Sequence, residues 1–253
     1  MIGIFALLAA QAAPALLQPA DQWHVSTEVS SCRAARSFGD DRRITLGFDS
    51  DPGRRLPMVL VVAPKAQLPE GIGALTVTPE GRAPLSIHYG AFQVADDSLR
   101  LLRLFPDEAG LAQLAAAPSV SIGDRLPALH TGGLAAVLAA MEKCNADLFA
   151  SWGEDPALYH KRRIATLLNP ARWFDANSFP RDARTHSGHV VALLDIAPDG
   201  SVSRCKAVAQ IEPSLDAATC AVATARVRAR PALDENGQPV PGYALLSVVW
   251  AKR

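Results

Sequence analysis

The chain reads as an α+β protein: an N-terminal antiparallel β meander or sandwich closed by a helix, then a small β-β-α-β domain. Three observations predict this. Between residues 21 and 128, apolar runs of four to seven residues recur between turn residues, the pattern of short antiparallel strands. Residues 134–148 switch to a helical period, with Leu134, Val137, Leu138, Met141 and Leu148 falling along one side at spacings of three, four and seven. From residue 179 onward the order is strand, turn, strand, helix, strand.

Composition narrows the function. The chain has 253 residues, 49% of them hydrophobic, and 25 basic residues balance 25 acidic ones. Such a chain can bury a core. Zero net charge argues against nucleic acid as a main partner, because phosphate binding needs a basic face. The one basic run, Lys161-Arg162-Arg163, reads as a solvated surface.

The chain opens on an apolar stretch reaching about Leu17, with the small-x-small triplet Ala10-Gln11-Ala12. It reads as an export signal cut after Ala12 or near Ala20, although no Lys or Arg precedes it; an uncleaved anchor is the alternative. No other stretch reaches the roughly 20 apolar residues a spanning helix needs. Four cysteines, Cys32, Cys144, Cys205 and Cys220, then read as two disulfides. Three pairings exist; Cys32–Cys144 with Cys205–Cys220 puts one bridge in each half. Their spacing, with no His nearby at zinc-like intervals, argues against a metal site.

Taken in order, residues 43–48, 58–63, 74–78, 85–89 and 99–105 are strand-like, each next to Pro, Gly or Asp turns. Residues 111–117 suit a short helix. The amphipathic helix from 134 would cover the open face of the sheet, since a sheet must bury one side. Trp152-Gly153-Glu154-Asp155-Pro156 marks a break. Pro156 suits a helix start, and that helix would run to Leu168, before Asn169-Pro170. The expected organisation is 1–20 signal or short anchor, 21–150 β-rich domain with closing helix, 151–178 partly helical connector and 179–253 C-terminal domain.

Within the last part, Val190, Ala192, Leu194 and Ile196 alternate on one face of a strand. Pro198-Asp199-Gly200 turns the chain, and residues 202–208 return. After Pro213, Ser214 can cap a helix and Asp216 suits its first turn. Leu215, Ala218, Val222 and Ala225 form its expected buried stripe, with Cys220 on the flank. Pro231 ends the helical region and residues 245–250 form the last strand.

Six short motifs occur here in order: Phe179-Pro180 with Ala183, Gly188 before the first strand, Asp199-Gly200-x-Val202, Leu215-Asp216-x-Ala218, Arg230-Pro231-Ala232 and Gly237-x-Pro239-Val240. With the terminal strand they resemble the TonB C-terminal domain family over about 75 residues. Two positions depart: Gln210-Ile211-Glu212 stands where Ser-Ser-Gly is usual, and Ala229 where an aromatic residue is usual. Trp152-Gly153 and Asn169-Pro170-x-x-Trp173 add a similarity to periplasmic TonB-like proteins of alphaproteobacteria that carry an N-terminal β domain. The resemblance implies a periplasmic protein without cofactor that works by contact, its last strand pairing with a short peptide of an outer-membrane receptor or another envelope protein. Here that edge would be Ala244, Leu245, Leu246, Ser247, Val248 and Val249. The competing reading is an edge covered by the chain's own N-terminal part or by a second copy in a homodimer. An energy transducer also needs a membrane helix and a long extended spacer. Neither is evident, so a soluble disulfide-bonded binding or scaffold module, uncoupled from an inner-membrane motor, is the alternative.

A hydrolase is the third class. Thr185-His186-Ser187-Gly188-His189 places Ser beside His, but neighbours on an extended chain point to opposite faces, and catalytic groups converge from distant positions. No G-x-S-x-G, H-E-x-x-H or P-loop pattern occurs. The sequence therefore predicts no catalytic residue, no enzyme activity and no metal.

Overall fold

The structure, a computed structural model, describes residues 16–169 and 173–252. Most of the predicted signal, residues 1–15, lies outside the described residues, as does Pro170 of the connector motif. The chain opens with strands β1 (Leu16–Leu17), β2 (His24–Thr27), β3 (Cys32–Phe38), β4 (Ile44–Ser50) and β5 (Met58–Pro64). Strands β6 (Ile72–Pro79), β7 (Leu85–Gln93) and β8 (Leu99–Phe105) follow, then helix α1 (Glu108–Ala116), β9 (Ser119–Ile122) and β10 (Ala128–His130). Helix α2 (Leu134–Ser151), helix α3 (Pro156–His160) and β11 (Thr166–Leu167) lead to the C-terminal part. There β12 (Ser187–Ile196), β13 (Val202–Ala209), α4 (Pro213–Arg226), β14 (Ala229–Arg230), β15 (Ala232–Leu233), β16 (Pro239–Val240) and β17 (Gly242–Ala251) complete the chain. The mixed α+β class is as the sequence predicts.

Strands β1 to β10 form one sheet in the order β1-β10-β9-β6-β7-β8-β5-β4-β3-β2. Consecutive strands mostly neighbour one another; the exceptions are β5 with β8, β6 with β9 and β1 with β10. The sheet obeys the period of two. Val59 and Val61 of β5 stand opposite Leu104 and Leu102 of β8, and all four are buried. Strands β1, β2, β3, β9 and β10 go beyond the sequence reading. The β3 segment Cys-Arg-Ala-Ala-Arg-Ser-Phe looks too charged for a strand, yet its buried side chains are Cys32, Ala34 and Phe38.

By contacts the chain divides into two units. One comprises residues 1–23, 36–47 and 59–135; the other comprises 24–35, 48–58 and 136–253. The first contains most of the large sheet, with α1 started by Asp107, whose carboxylate accepts from the Gly110 N–H at 2.7 Å.

In the second unit both expected disulfides are present, Cys32–Cys144 and Cys205–Cys220. The first ties β3 to α2, the second β13 to α4. Phe149 of α2 packs against Tyr243 of β17 with ring centroids 4.6 Å apart, and Asn145 Nδ2 donates to Ser50 Oγ at 3.0 Å in a buried position. Strands β13-β12-β17 form a three-stranded antiparallel sheet. Val190, Ala192, Leu194 and Ile196 of β12 join Ala244, Leu246, Val248 and Trp250 of β17 in one core with Leu215, Ala223 and Val227. Two small antiparallel pairs, β11 with β14 and the hairpin β15 with β16, complete the strand pairing.

Three local expectations change. Helix α3 ends at His160, not Leu168, because Arg162 takes a left-handed φ of 51° and turns the chain toward β17. Ser214 does not cap α4. The cap position is Glu212, Pro213 is the first helical residue, and the Ser214 hydroxyl donates to the Glu212 carboxylate at 2.6 Å. The buried stripe of α4 is Leu215, Thr219 and Ala223, with Ala225 exposed. Thr219 enters the core because its hydroxyl is fully used: it donates to Leu215 O at 2.8 Å and accepts from Trp250 Nε1 at 2.9 Å.

Candidate functional site

Strand β17 is an edge strand. Its inner side pairs with β12 in continuous register from Gly242↔Ile196 to Ala251↔Ser187. Its outer side is covered only at the start. The Tyr243 N–H donates to Arg163 O and the Ala165 N–H donates to Tyr243 O, both at 2.8 Å, forming a parallel bridge between Ile164 and Tyr243. The Tyr243 side chain locks this end, its hydroxyl donating to Pro52 O at 2.9 Å. Burial raises the Tyr243 pKa, so the donor stays protonated.

Tyr243 turns its backbone groups outward, and a strand repeats every two residues. Leu245, Ser247, Val249 and Ala251 therefore turn theirs outward too. Among the described residues no strand pairs with them. Of the six residues singled out in the sequence, Leu245, Ser247 and Val249 offer backbone groups on the open side. Ala244, Leu246 and Val248 are committed to β12 and to the core. The open stretch, Leu245 to Ala251, spans about 23 Å at 3.3 Å per residue. Val249 is 77% exposed on it.

A cleft of about 730 Å³ runs beside this edge, with Phe174, Phe179, Arg181, Val249, Trp250 and Lys252 among its lining. Trp250 forms its floor. Phe174 and Phe179 meet the indole edge-on, with centroids 5.3 and 5.9 Å away. Asp175 caps the short 3-10 turn Ala176–Ser178 beside it and pairs with Arg226 at 3.0 Å. That hydrogen bond, with another from Ser178, holds the Asp175 carboxyl below the usual range. Arg181 and Lys252 make no ion pair among the described residues.

On the opposite face of the sheet, a second cleft of about 340 Å³ reaches the same edge through Leu245 and Ser247, with Asp49, Asp51, Arg54 and His189 around it. Burial, partly offset by Arg54, raises the Asp51 carboxyl. His189 Nε2 and Ser247 Oγ lie 2.7 Å apart. Among the described residues His189 makes no hydrogen bond or ion pair with a carboxylate. Its place is a strand surface beside the open edge of β17.

The motif residues divide by role. Phe179 and Pro180 line the larger cleft. Gly188 lets α4 and the chain just before it approach, since a Cβ there would lie 3.0 Å from Ile211 Cγ2 and 3.2 Å from Leu215 Cδ1 of α4. Gly200, at φ +82°, sits where a Cβ would meet Ala229 O at 2.1 Å. Asp199 closes the hairpin turn by accepting from Ser201 N–H and Oγ. Leu215 is core, and Asp216 Oδ1 accepts from Ile211 N–H at 3.4 Å. Pro231 separates β14 from β15, while Gly237 and Pro239 shape the turn into β16. These residues build the sheet that presents the edge. Sequence reasoning missed the aromatic cleft: Phe174, Arg181 and Lys252 belong to no motif, and Trp250 looks like an ordinary strand residue.

Among the described residues, no cluster of three or more His, Cys, Asp or Glu is arranged to hold a metal, and no helix is long and apolar enough to cross a membrane. Compared with known proteins, residues 175–251 match the family described as the Gram-negative bacterial TonB protein C-terminal. No curated protein and no solved structure matches the chain.

Proposed function

We propose, from the premise that residues 175–251 are a TonB C-terminal domain, that this protein works in the cell envelope by adding a partner's extended segment to the open edge of β17. The observation that carries this reading is the unpaired stretch Leu245 to Ala251 lying beside a preformed aromatic cleft. Backbone pairing would supply affinity, and alternate side chains of the incoming strand would fall on the two faces of the sheet. One set would meet Phe174, Phe179 and Trp250; the other would meet the polar cleft around Ser247 and His189. The clamp at Tyr243 fixes where an incoming strand must stop. The partner is an outer-membrane receptor or another envelope protein, and the compartment is the periplasm, which the two disulfides suit.

A second reading is a disulfide-bonded scaffold module that uses the same edge without an inner-membrane motor. It is supported by the β-rich N-terminal sheet, which occupies the chain where an extended spacer would be expected.

Titrating isotope-labelled protein with synthetic segments from periplasm-facing parts of outer-membrane receptors tests the proposal. Amide shifts confined to Leu245, Ser247, Val249, Ala251 and the Trp250 indole are expected. Shifts elsewhere, or none with any segment, would sink it. Recovery of the native protein with inner membranes would favour coupling to a motor; recovery in the osmotic-shock fluid would favour the scaffold reading.

A further inference from the structure

A second open edge ends the large sheet, and it is independent of any reading of β17. Among the described residues β2 is the last strand of that sheet and pairs only with β3. Where the two strands join, the Glu28 N–H donates to Ser31 O at 2.8 Å. Residues of an antiparallel ladder turn their backbone groups inward and outward alternately, so Thr27 and Val25 turn theirs to the open side. Their side chains share one face, where a groove of about 420 Å³ runs between β2 and the exposed Ala140, Lys143, Asp147 and Ser151 of α2. Val25 is 39% exposed there, so solvent reaches the groove directly. The wall is also fixed. The Cys32–Cys144 disulfide ties α2 to β3, and the Thr27 hydroxyl donates to the Cys144 sulfur at 3.3 Å. A surface held in place before a partner arrives lowers the entropic cost of binding.

We infer that this edge pairs with the same edge of a second copy of the chain, about a two-fold axis at Ser26. The surface is self-complementary about that point. Antiparallel pairing centred on Ser26 sets Val25 opposite the partner's Thr27, and the two such pairs exchange about four backbone hydrogen bonds. It also sets His24 opposite the partner's Glu28. Glu28 lies 3.9 Å from Arg33, whose nearer partner is Asp49 at 3.1 Å, so Glu28 remains available. The Thr27 contact brings Cys144 level with β2 one residue, about 3.3 Å, from the axis, and Cys144 lies between Lys143 and Asp147. The two copies of α2 therefore face each other antiparallel, with Lys143 of each beside the partner's Asp147. Within one chain these two side chains pair at 2.6 Å while 76% and 65% exposed, and trading one exposed ion pair for another costs little. Ala140 and Ser151 are small enough to let the helices approach. A foreign segment would have to carry the mirror image of this charge pattern; a second copy carries it by symmetry.

The test is sedimentation of the full chain, both disulfides formed, from about 1 to about 300 μM. A contact this short should give a reversible monomer–dimer equilibrium with a Kd on the order of 10 μM. Lys143→Glu and Asp147→Lys should each weaken the dimer about tenfold, because each turns two attractions across the axis into repulsions. Mixed in equal amounts, the two variants should recover to within about threefold of the native chain as heterodimers. In this register Ser26 faces the partner's Ser26 in a non-hydrogen-bonded pair, with Cα atoms about 4.5 Å apart. Mild oxidation of Ser26→Cys should therefore yield a covalent dimer, and Val29→Cys, equally exposed but far from its own copy, should not. All four positions are exposed, so circular dichroism should show the variants folded. A monomer at every concentration, a mixture no better than its components, or no cross-link through Ser26→Cys would overturn the assignment.

Discussion

The carboxylate of Glu212 holds Thr185 twice: its Oε2 accepts from the Thr185 N–H at 2.9 Å and from the Thr185 hydroxyl at 2.8 Å. The other oxygen accepts from Arg184 N–H and Ser214 Oγ, both at 2.6 Å. One side chain thus joins the approach to β12 to the start of α4. It does so at a position where the family resemblance leads one to expect a small residue. The Ser214 hydroxyl and the Arg184 amide together hold the Glu212 pKa down, from 4.5 to about 2. A depressed carboxylate stabilises the fold above its unfolded-state pKa, and that contribution disappears as pH falls through the folded value. Urea midpoints should therefore drop between about pH 4.5 and 2. Glu212→Gln should start lower at pH 7 and show a flatter acid limb; parallel curves for the two proteins would refute this role.

The Trp250 indole donates to a threonine on the helix packed above it. Thr219→Val keeps the shape of the buried residue but leaves that N–H unpaired, a loss of about 1–3 kcal/mol. Thr219→Ser retains the hydroxyl and should cost less than Thr219→Val. Chemical denaturation followed by tryptophan emission separates the two, and equal stability of both variants would contradict the inferred bond.

Each disulfide shortens the unfolded chain differently. Cys205 and Cys220 are 15 residues apart and Cys32 and Cys144 are 112 apart. In the chain-entropy model a loop of 15 residues is worth about 3 kcal/mol and one of 100 residues about 4.7 kcal/mol. Replacing both members of a bridge with Ser should lower stability in that order, more for the long loop. The reverse order would show that strain or residual structure outweighs loop entropy.

Strand β1 bears on export. Leu16 and Leu17 pair in parallel with Ala128 and Leu129 of β10, and Pro19 bridges to Phe38. Cleavage after Ala12 would leave β1 in the sheet, whereas cleavage near Ala20 would remove it. Intact mass of protein from its native envelope is expected to lack the first 12 residues. A mass lacking 20 residues would mean that β1 is dispensable.

Period and turn chemistry made much of this fold legible. Runs of valine and leucine between Pro and Gly marked β5, β6, β7, β8 and β17, and Pro198-Asp199-Gly200 marked the hairpin. What escaped depended on partners distant in sequence. Arg33 in β3 looks out of place until Asp49, 3.1 Å away, is seen beside it. Thr219 looks like a surface residue until Trp250 supplies its donor. The helix expected to reach Leu168 stops because residues 163–165 are needed as a cover for Tyr243, which helical period cannot reveal. For the site, the edge itself was readable from strand order. Its aromatic wall was not, because Phe174 and Trp250 meet only through folding.

Proline at two adjacent positions of β17 separates folding from binding. The Val249 N–H points to the open side, where no strand of the described residues receives it, and its side chain is largely exposed. Proline is tolerated on such an edge. The neighbouring Val248 faces Val190 in the ladder and is buried, so a proline there removes an internal hydrogen bond. Val249→Pro should leave the thermal midpoint nearly unchanged while weakening any receptor segment that binds the edge at least about tenfold, the equivalent of roughly 1.4 kcal/mol. Val248→Pro should unfold the C-terminal sheet. Undiminished segment binding to a folded Val249→Pro would place the contact away from the β17 edge.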